Sequence, residues 1–234
     1  MATIHCNCGA CEIQFKQKAN LFRLECCCYN CISAVWYVNR QKAVNECLPV
    51  DVVSTPKLLD SNWFPNDFSI TKGVSSLKAF KLFDEADTTR VYCKDCSTIL
   101  IADHPAYAGK IVLTQVTNFG DTNLQNAELC DVKARHFLKD LNQQEIACLP
   151  KFTGGEEHIY EGVADDLMAA LPEMLENGAV GSGESVDSTN IQKLIEMIGV
   201  TVPDDCQDRL CGGPPTLMQQ AAAAASAAKE KEEK

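Results

Sequence analysis

A mainly β domain of short strands, followed by helices and a disordered tail, is the fold class this sequence predicts. Three observations lead there: a first half dense in short apolar or alternating runs, a change to helical spacing near Glu161, and a final stretch of Ala, Lys and Glu without an apolar stripe. Strands are expected at residues 12–15, 21–25, 34–38, 77–83, 90–92, 98–102 and 111–116, where apolar and β-branched residues alternate or cluster between turn formers. Beyond Glu161, Val163, Leu167, Leu171 and Leu175 recur about one helical turn apart, with Pro172 expected to kink the helix. Residues 177–185, rich in Gly and Ser, read as a flexible linker. Ser188 or Thr189 then stands where an N-cap belongs, before a helix carrying Ile191, Leu194, Ile195 and Ile198 and stopping at Gly199. Residues 219–234 favour helix but have nothing to bury, so a disordered tail is expected. The chain thus divides into a β domain over 1–160, a helical extension over 161–218 and a tail over 219–234.

With 21 basic against 32 acidic residues, the 234-residue chain carries a net charge of -11. That balance repels phosphate backbones and anionic lipid surfaces, so neither nucleic acid nor membrane is an expected partner. Met1 to Cys11 lacks the basic-then-apolar pattern of an export signal, and no apolar segment approaches the length of a membrane span. An intracellular protein is expected, in the cytoplasm, with the nucleus left open and with a protein partner for the helical extension also left open.

Fourteen cysteines stand out in a chain read as intracellular, where thiols stay reduced and structural disulfides are rare. They are unevenly placed. Cys6, Cys8, Cys11, Cys26, Cys27, Cys28 and Cys31 crowd together, and Cys93 and Cys96 form a second concentration. Zinc takes about four thiolate or imidazole ligands in a tetrahedron, and two cysteines one to four residues apart can bend around one ion. Cys6 and Cys8 before Gly9, Cys26, Cys28 and Cys31, and Cys93 and Cys96 are groups with that spacing. Two pairs complete a closed site; the trio leaves one position open, which separates catalytic from structural zinc. Two zinc ions per chain are therefore expected, one structural and one catalytic. The trio is also able to recruit Cys27, Cys47, His104 or a more distant ligand. A thiol bound at an open position loses its proton, and its sulfur can then attack an aldehyde carbon or leave in the reverse cleavage.

Three motifs resemble the glutathione-dependent formaldehyde-activating family, which includes centromere protein V. They are Cys-Asn-Cys-Gly-Ala-Cys-Glu-Ile-Gln-Phe at 6–15, Cys-Cys-Cys-Tyr-Asn-Cys at 26–31 and Arg-Val-Tyr-Cys-Lys-Asp-Cys-Ser-Thr-Ile-Leu at 90–100. The resemblance spans residues 4–160 and implies a β-tent of short antiparallel strands. It also implies a structural zinc on Cys6, Cys8, Cys93 and Cys96, and a catalytic zinc on Cys26, Cys28 and Cys31 with glutathione adding the fourth sulfur. The implied activity is that of a carbon-sulfur lyase interconverting an aldehyde such as formaldehyde and glutathione with their S-hydroxymethyl-type adduct. The family commonly has His and Ser where this chain has Cys27 and Tyr29, and Gly where it has Ser97.

Other reactive residues are expected to be ordinary. Cys27 reads as a bystander thiol, Cys11 as a packed strand residue, and Cys47, Cys130, Cys148, Cys206 and Cys211 receive no role. His5, His104, His136 and His158 read as surface or hydrogen-bonded residues; His104 lies just beyond the Cys93–Leu100 segment, where a turn could bring it near a metal. Trp36 and Tyr37 suit a pocket wall and a β core equally. Beside the lyase stands a second function class, a non-catalytic zinc module that binds another protein. A third, an iron-sulfur or thiol redox protein, uses the same cysteines.

Overall fold

The computed structural model describes residues 1–45, 57–116 and 123–202. The expected tail, Cys47, Cys206 and Cys211 lie outside the described residues. In chain order the elements are β1 (Thr3–His5), β2 (Glu12–Phe15), β3 (Phe22–Cys26), α1 (Tyr29–Asn45), β4 (Leu59–Pro65), β5 (Phe68–Lys72), β6 (Leu77–Phe80) and β7 (Thr89–Cys93). They continue with β8 (Ile99–Asp103), β9 (Ile111–Val116), β10 (Leu124–Gln125), β11 (Arg135–His136), α2 (Gln143–Ala147), α3 (Asp165–Glu176), α4 (Ile191–Ile198) and β12 (Val200–Thr201).

The strands form two sheets, one ordered β10-β1-β2-β5 and the other β11-β3-β4-β9-β8-β7-β6-β12. Pairing is antiparallel apart from the two-residue outer strands β11 and β12, which lie parallel to β3 and β6. Because successive strand residues point to opposite faces, the large sheet feeds two cores. Val91, Leu100, Ile101 and Val112 join Ile4, Ile13, Phe15 and Phe68 of the small sheet in one core. Leu24, Leu59, Trp63, Phe80 and Leu113 face the other way, toward α1 and α3. The pairing shifts between Val91 and Tyr92, so that Val91 meets Ile101 and Tyr92 meets Ile99. That extra residue turns both Leu100 and Ile101 into the first core.

The expected mainly β class is what the chain forms. The strand expected at residues 34–38 is instead part of α1. Its apolar residues Ile32, Val35 and Val38 recur every three positions, and these and Ala34 are buried, which is one helical face rather than an alternating strand. The Asp140 carboxylate accepts the Tyr29 N–H at 2.8 Å, satisfying a donor at the start of α1.

Residues 177–185 are pinned rather than free. Gly181 donates to the Asn66 carbonyl at 2.9 Å and accepts from the Asn190 side chain at 2.8 Å. Glycine is required there, since a Cβ at position 181 would sit 2.1 Å from the Thr189 carbonyl oxygen. The cap of α4 is Asn190, whose side chain accepts from Lys193 N; Thr189 is drawn away by pairing with Phe68. Ile191 and Leu194 are fully buried in the first core, and α3 runs on through Pro172 to place Met174 in the second. Residues 161–202 therefore pack into the same cores as the strands. No helix among the described residues is long and apolar enough to cross a membrane.

Candidate metal centres and cavity

Two cysteine groups gather their sulfurs within 4.8 Å of one another: Cys6, Cys8, Cys93 and Cys96, and separately Cys26, Cys28 and Cys31. The quartet is built from two turns. Cys6 and Cys8 follow β1, where Gly9 at φ 70° reverses the chain; Cys93 ends β7 and Cys96 lies in the turn to β8. Asn7 N–H donates to Thr98 Oγ1 at 3.1 Å and locks one turn to the other. Because β1 and β2 belong to the small sheet and β7 and β8 to the large one, the quartet bridges the two sheets.

Four thiolates around a tetrahedral zinc with bonds of about 2.3 Å sit roughly 3.8 Å apart. The Cys6 and Cys8 sulfurs are 3.4 Å apart, and those of Cys8 and Cys93 are 3.9 Å apart. The Cys11 N–H donates to Cys6 Sγ at 3.1 Å. Burial opposes ionisation of Cys96, but hydrogen bonds from Thr98 and Cys8 bring its thiol down to about 7. Burial pushes Cys11 up to about 11, so it stays a protonated thiol, within 3.5 Å of the Gly73 carbonyl. The donor set and spacing fit a closed, four-sulfur zinc site.

The trio forms where β3 ends and α1 begins, a strand-to-helix corner that turns the three side chains inward together. Cys28 N–H donates to Cys26 Sγ at 3.4 Å. Hydrogen bonding from Cys26 and Cys28 holds the Cys31 thiol well below its ordinary value. Its neighbours respond in the opposite sense: Cys26 is pushed well up, chiefly by its hydrogen bonds with Cys28 and Cys31. Three thiols this close ionise together only with a cation between them. Among the described residues no fourth His, Cys, Asp or Glu joins them.

Unlike the quartet, the trio opens on a cavity of about 330 Å³, at the lower end of the range for small-molecule sites. Arg90 lines it with only 1% of its surface exposed, its Nη2 donating weakly to the Asn30 carbonyl (3.4 Å) and lying 3.8 Å from Cys31 Sγ. Its Nε is buried without a hydrogen-bond partner. His136 lines the same cavity. The Glu25–Arg135 ion pair, at 2.5 Å, fixes β11 against β3 and so sets His136 beside Cys26. Burial lowers the His136 imidazole to about 4, and its Nδ1 is also without a partner.

All seven sequence-predicted cysteines are thus brought together in two groups. Cys27 lies apart, in a small cluster with Leu58 and Leu138, its thiol pushed up to about 12 by burial, as a bystander would be. His104 reaches the cavity, yet its Nδ1 accepts from Ala106 N at 3.1 Å and it joins neither metal group. Trp36 carries Arg40 over its ring and Tyr37 packs on Phe80, so the pocket-wall tryptophan is Trp63 instead. Sequence reasoning passed over Arg90 and read His136 as a surface or hydrogen-bonded residue, whereas it is buried at the cavity with Nδ1 unpartnered. Arg90 gave no signal of its place, since alternation sets it on the face opposite Val91 and only the burial of both faces of β7 brings it inside. His136, in a two-residue strand, offered none.

Fold and site together define a mainly β protein with one closed and one open cysteine cluster suited to metal. The chain matches no family model and no curated protein.

Proposed function

We propose that the protein is a zinc-dependent carbon-sulfur lyase acting on a glutathione adduct of a small aldehyde, with Cys6, Cys8, Cys93 and Cys96 holding a structural ion and Cys26, Cys28 and Cys31 a catalytic one. The observation that carries the reading is the contrast between a four-sulfur group and a three-sulfur group that opens on a cavity. The three motifs that resemble the glutathione-dependent formaldehyde-activating family support it and supply the substrate class. An ion at the trio supplies a Lewis acid that keeps a bound thiol deprotonated at neutral pH.

The chain's own residues do the rest. Neutral His136, which lines the cavity beside Cys26, takes the hydroxyl proton of the adduct on its imidazole. As that proton leaves, the oxygen's electron pair forms the aldehyde carbonyl, the carbon-sulfur bond breaks and its pair stays on sulfur. Arg90, whose Nη2 lies 3.8 Å from Cys31 Sγ, would offset the excess negative charge of three thiolates holding a divalent ion and steady the departing thiolate. Arg90 and His136 are thereby the groups that hold charge and proton in a cavity closed mostly by apolar side chains.

Native mass spectrometry with and without glutathione tests this. Two zinc ions per chain and one glutathione adduct, with the adduct lost in Cys28→Ser, is the expected result. Two ions and no adduct at millimolar glutathione would instead assign the protein to a structural zinc module.

A further inference from the structure

We infer that the adduct taken by the three-cysteine site carries an apolar group larger than the hydrogens of formaldehyde, and that α3 with the residue leading into it selects that group. The inference rests on the lyase reading and specifies its substrate. Arg90 lies beside Cys31 and His136 pairs across from Cys26, and Asn30, Ser61, Thr88, His104 and Gln115 add further polar lining. One side of the cavity is of another kind.

Val163, Leu167 and Leu171 recur every four residues, and with Met168 they line the cavity from one side of α3 and its lead-in turn. Trp63 and Leu113 face the cavity from β4 and β9. Val163 and Met168 remain 47% and 56% exposed, an uncommon state for two apolar side chains on one cavity wall. Formaldehyde would leave this wall wet and unused. An aryl or branched alkyl group on the carbon bonded to sulfur would reach it, since that carbon lies one bond from the coordinated atom. Methionine at the mouth suits such a role, its unbranched thioether adapting to rings of differing shape.

The test uses cobalt(II)-substituted protein, whose sulfur-to-metal absorption reports a thiol arriving at the open position. The probes are 2-mercaptoethanol and phenylmethanethiol; the latter carries its ring one carbon from sulfur, as an aromatic aldehyde adduct would. The readout is the ratio of the two dissociation constants, in which any change to the metal site itself cancels. Burial of half a phenyl ring predicts a preference of about tenfold for phenylmethanethiol. In the double variant Val163→Thr, Met168→Gln the preference should fall to about twofold, and both positions are exposed enough for the fold to survive. Equal binding by the unsubstituted chain, or a preference that survives in the double variant, overturns the inference and leaves the lyase reading standing. No absorption change with either thiol overturns both.

Discussion

Ser97 shows how a single backbone angle carries a site. It follows Cys96 at φ 62°, in the left-handed region that L side chains resist, and its N–H closes the turn on the Cys93 carbonyl at 2.8 Å. A serine pays about 1–2 kcal/mol for that conformation relative to glycine. Ser97→Gly should therefore raise stability by about 1 kcal/mol, or roughly 2–4 °C in the midpoint of thermal unfolding of the metal-loaded protein. An unchanged or lower midpoint would mean the hydroxyl, which is buried, contributes more than the backbone costs. At this scale the cysteines were legible, because metal ligands must stand at short fixed spacings. Arg90 and His136 were not, since what makes them matter is the cavity they share with Cys31 and Cys26 across strands far apart in the chain.

Elements were legible where one face of a strand or helix meets one core, as in β2, β3 and α4. They were obscured where both faces are buried. β4 is buried along its whole length, so the apolar and polar residues of 59–65 show no alternation. The stretch 34–38 misled for a different reason: five residues make under about one and a half helical turns, too few to be told from a strand by period. The start of α3 offers a pH-dependent test. Ala164 provides no side-chain cap, but Asp166 in the first turn accepts from Tyr160 Oη at 2.8 Å and contacts His158 Nδ1 at 2.9 Å. The hydrogen bond to Asp166 holds the His158 pKa above its ordinary 6.5. Its contribution to stability is then full below about 6.5 and is lost as pH rises through the higher folded-state value. A proton NMR titration should show His158 titrating above the ordinary histidine range, and Asp166→Asn should return it there. A His158 value that Asp166→Asn leaves in place would assign the shift to another group.

For the whole molecule, the two cysteine groups have different mechanical positions. The quartet joins turns from separate sheets, while the trio sits within one strand-helix corner of the large sheet. Cys93→Ser should accordingly lower the thermal midpoint by several degrees and release one ion, whereas Cys28→Ser should release the other ion with a much smaller loss; calorimetry with metal analysis reads both. Equal unfolding by the two variants would remove the distinction between a structural and an open site. The placement of residues 161–202 on both cores was hidden in the sequence, because a Gly- and Ser-rich stretch looks the same whether it wanders or is held, and here Asn66 holds it through Gly181 and Ile191. The quartet also bears on the order in which the chain assembles. Cys8 and Cys93 stand 85 positions apart, and closing so long a loop has an entropic cost that no local contact offsets early on. The four sulfurs can meet only after each sheet has found its own register and the two have docked. An ion held by the quartet would thus be captured late and would sense correct assembly, and a misregistered chain would be left with thiols exposed to oxidants and to the wrong metals.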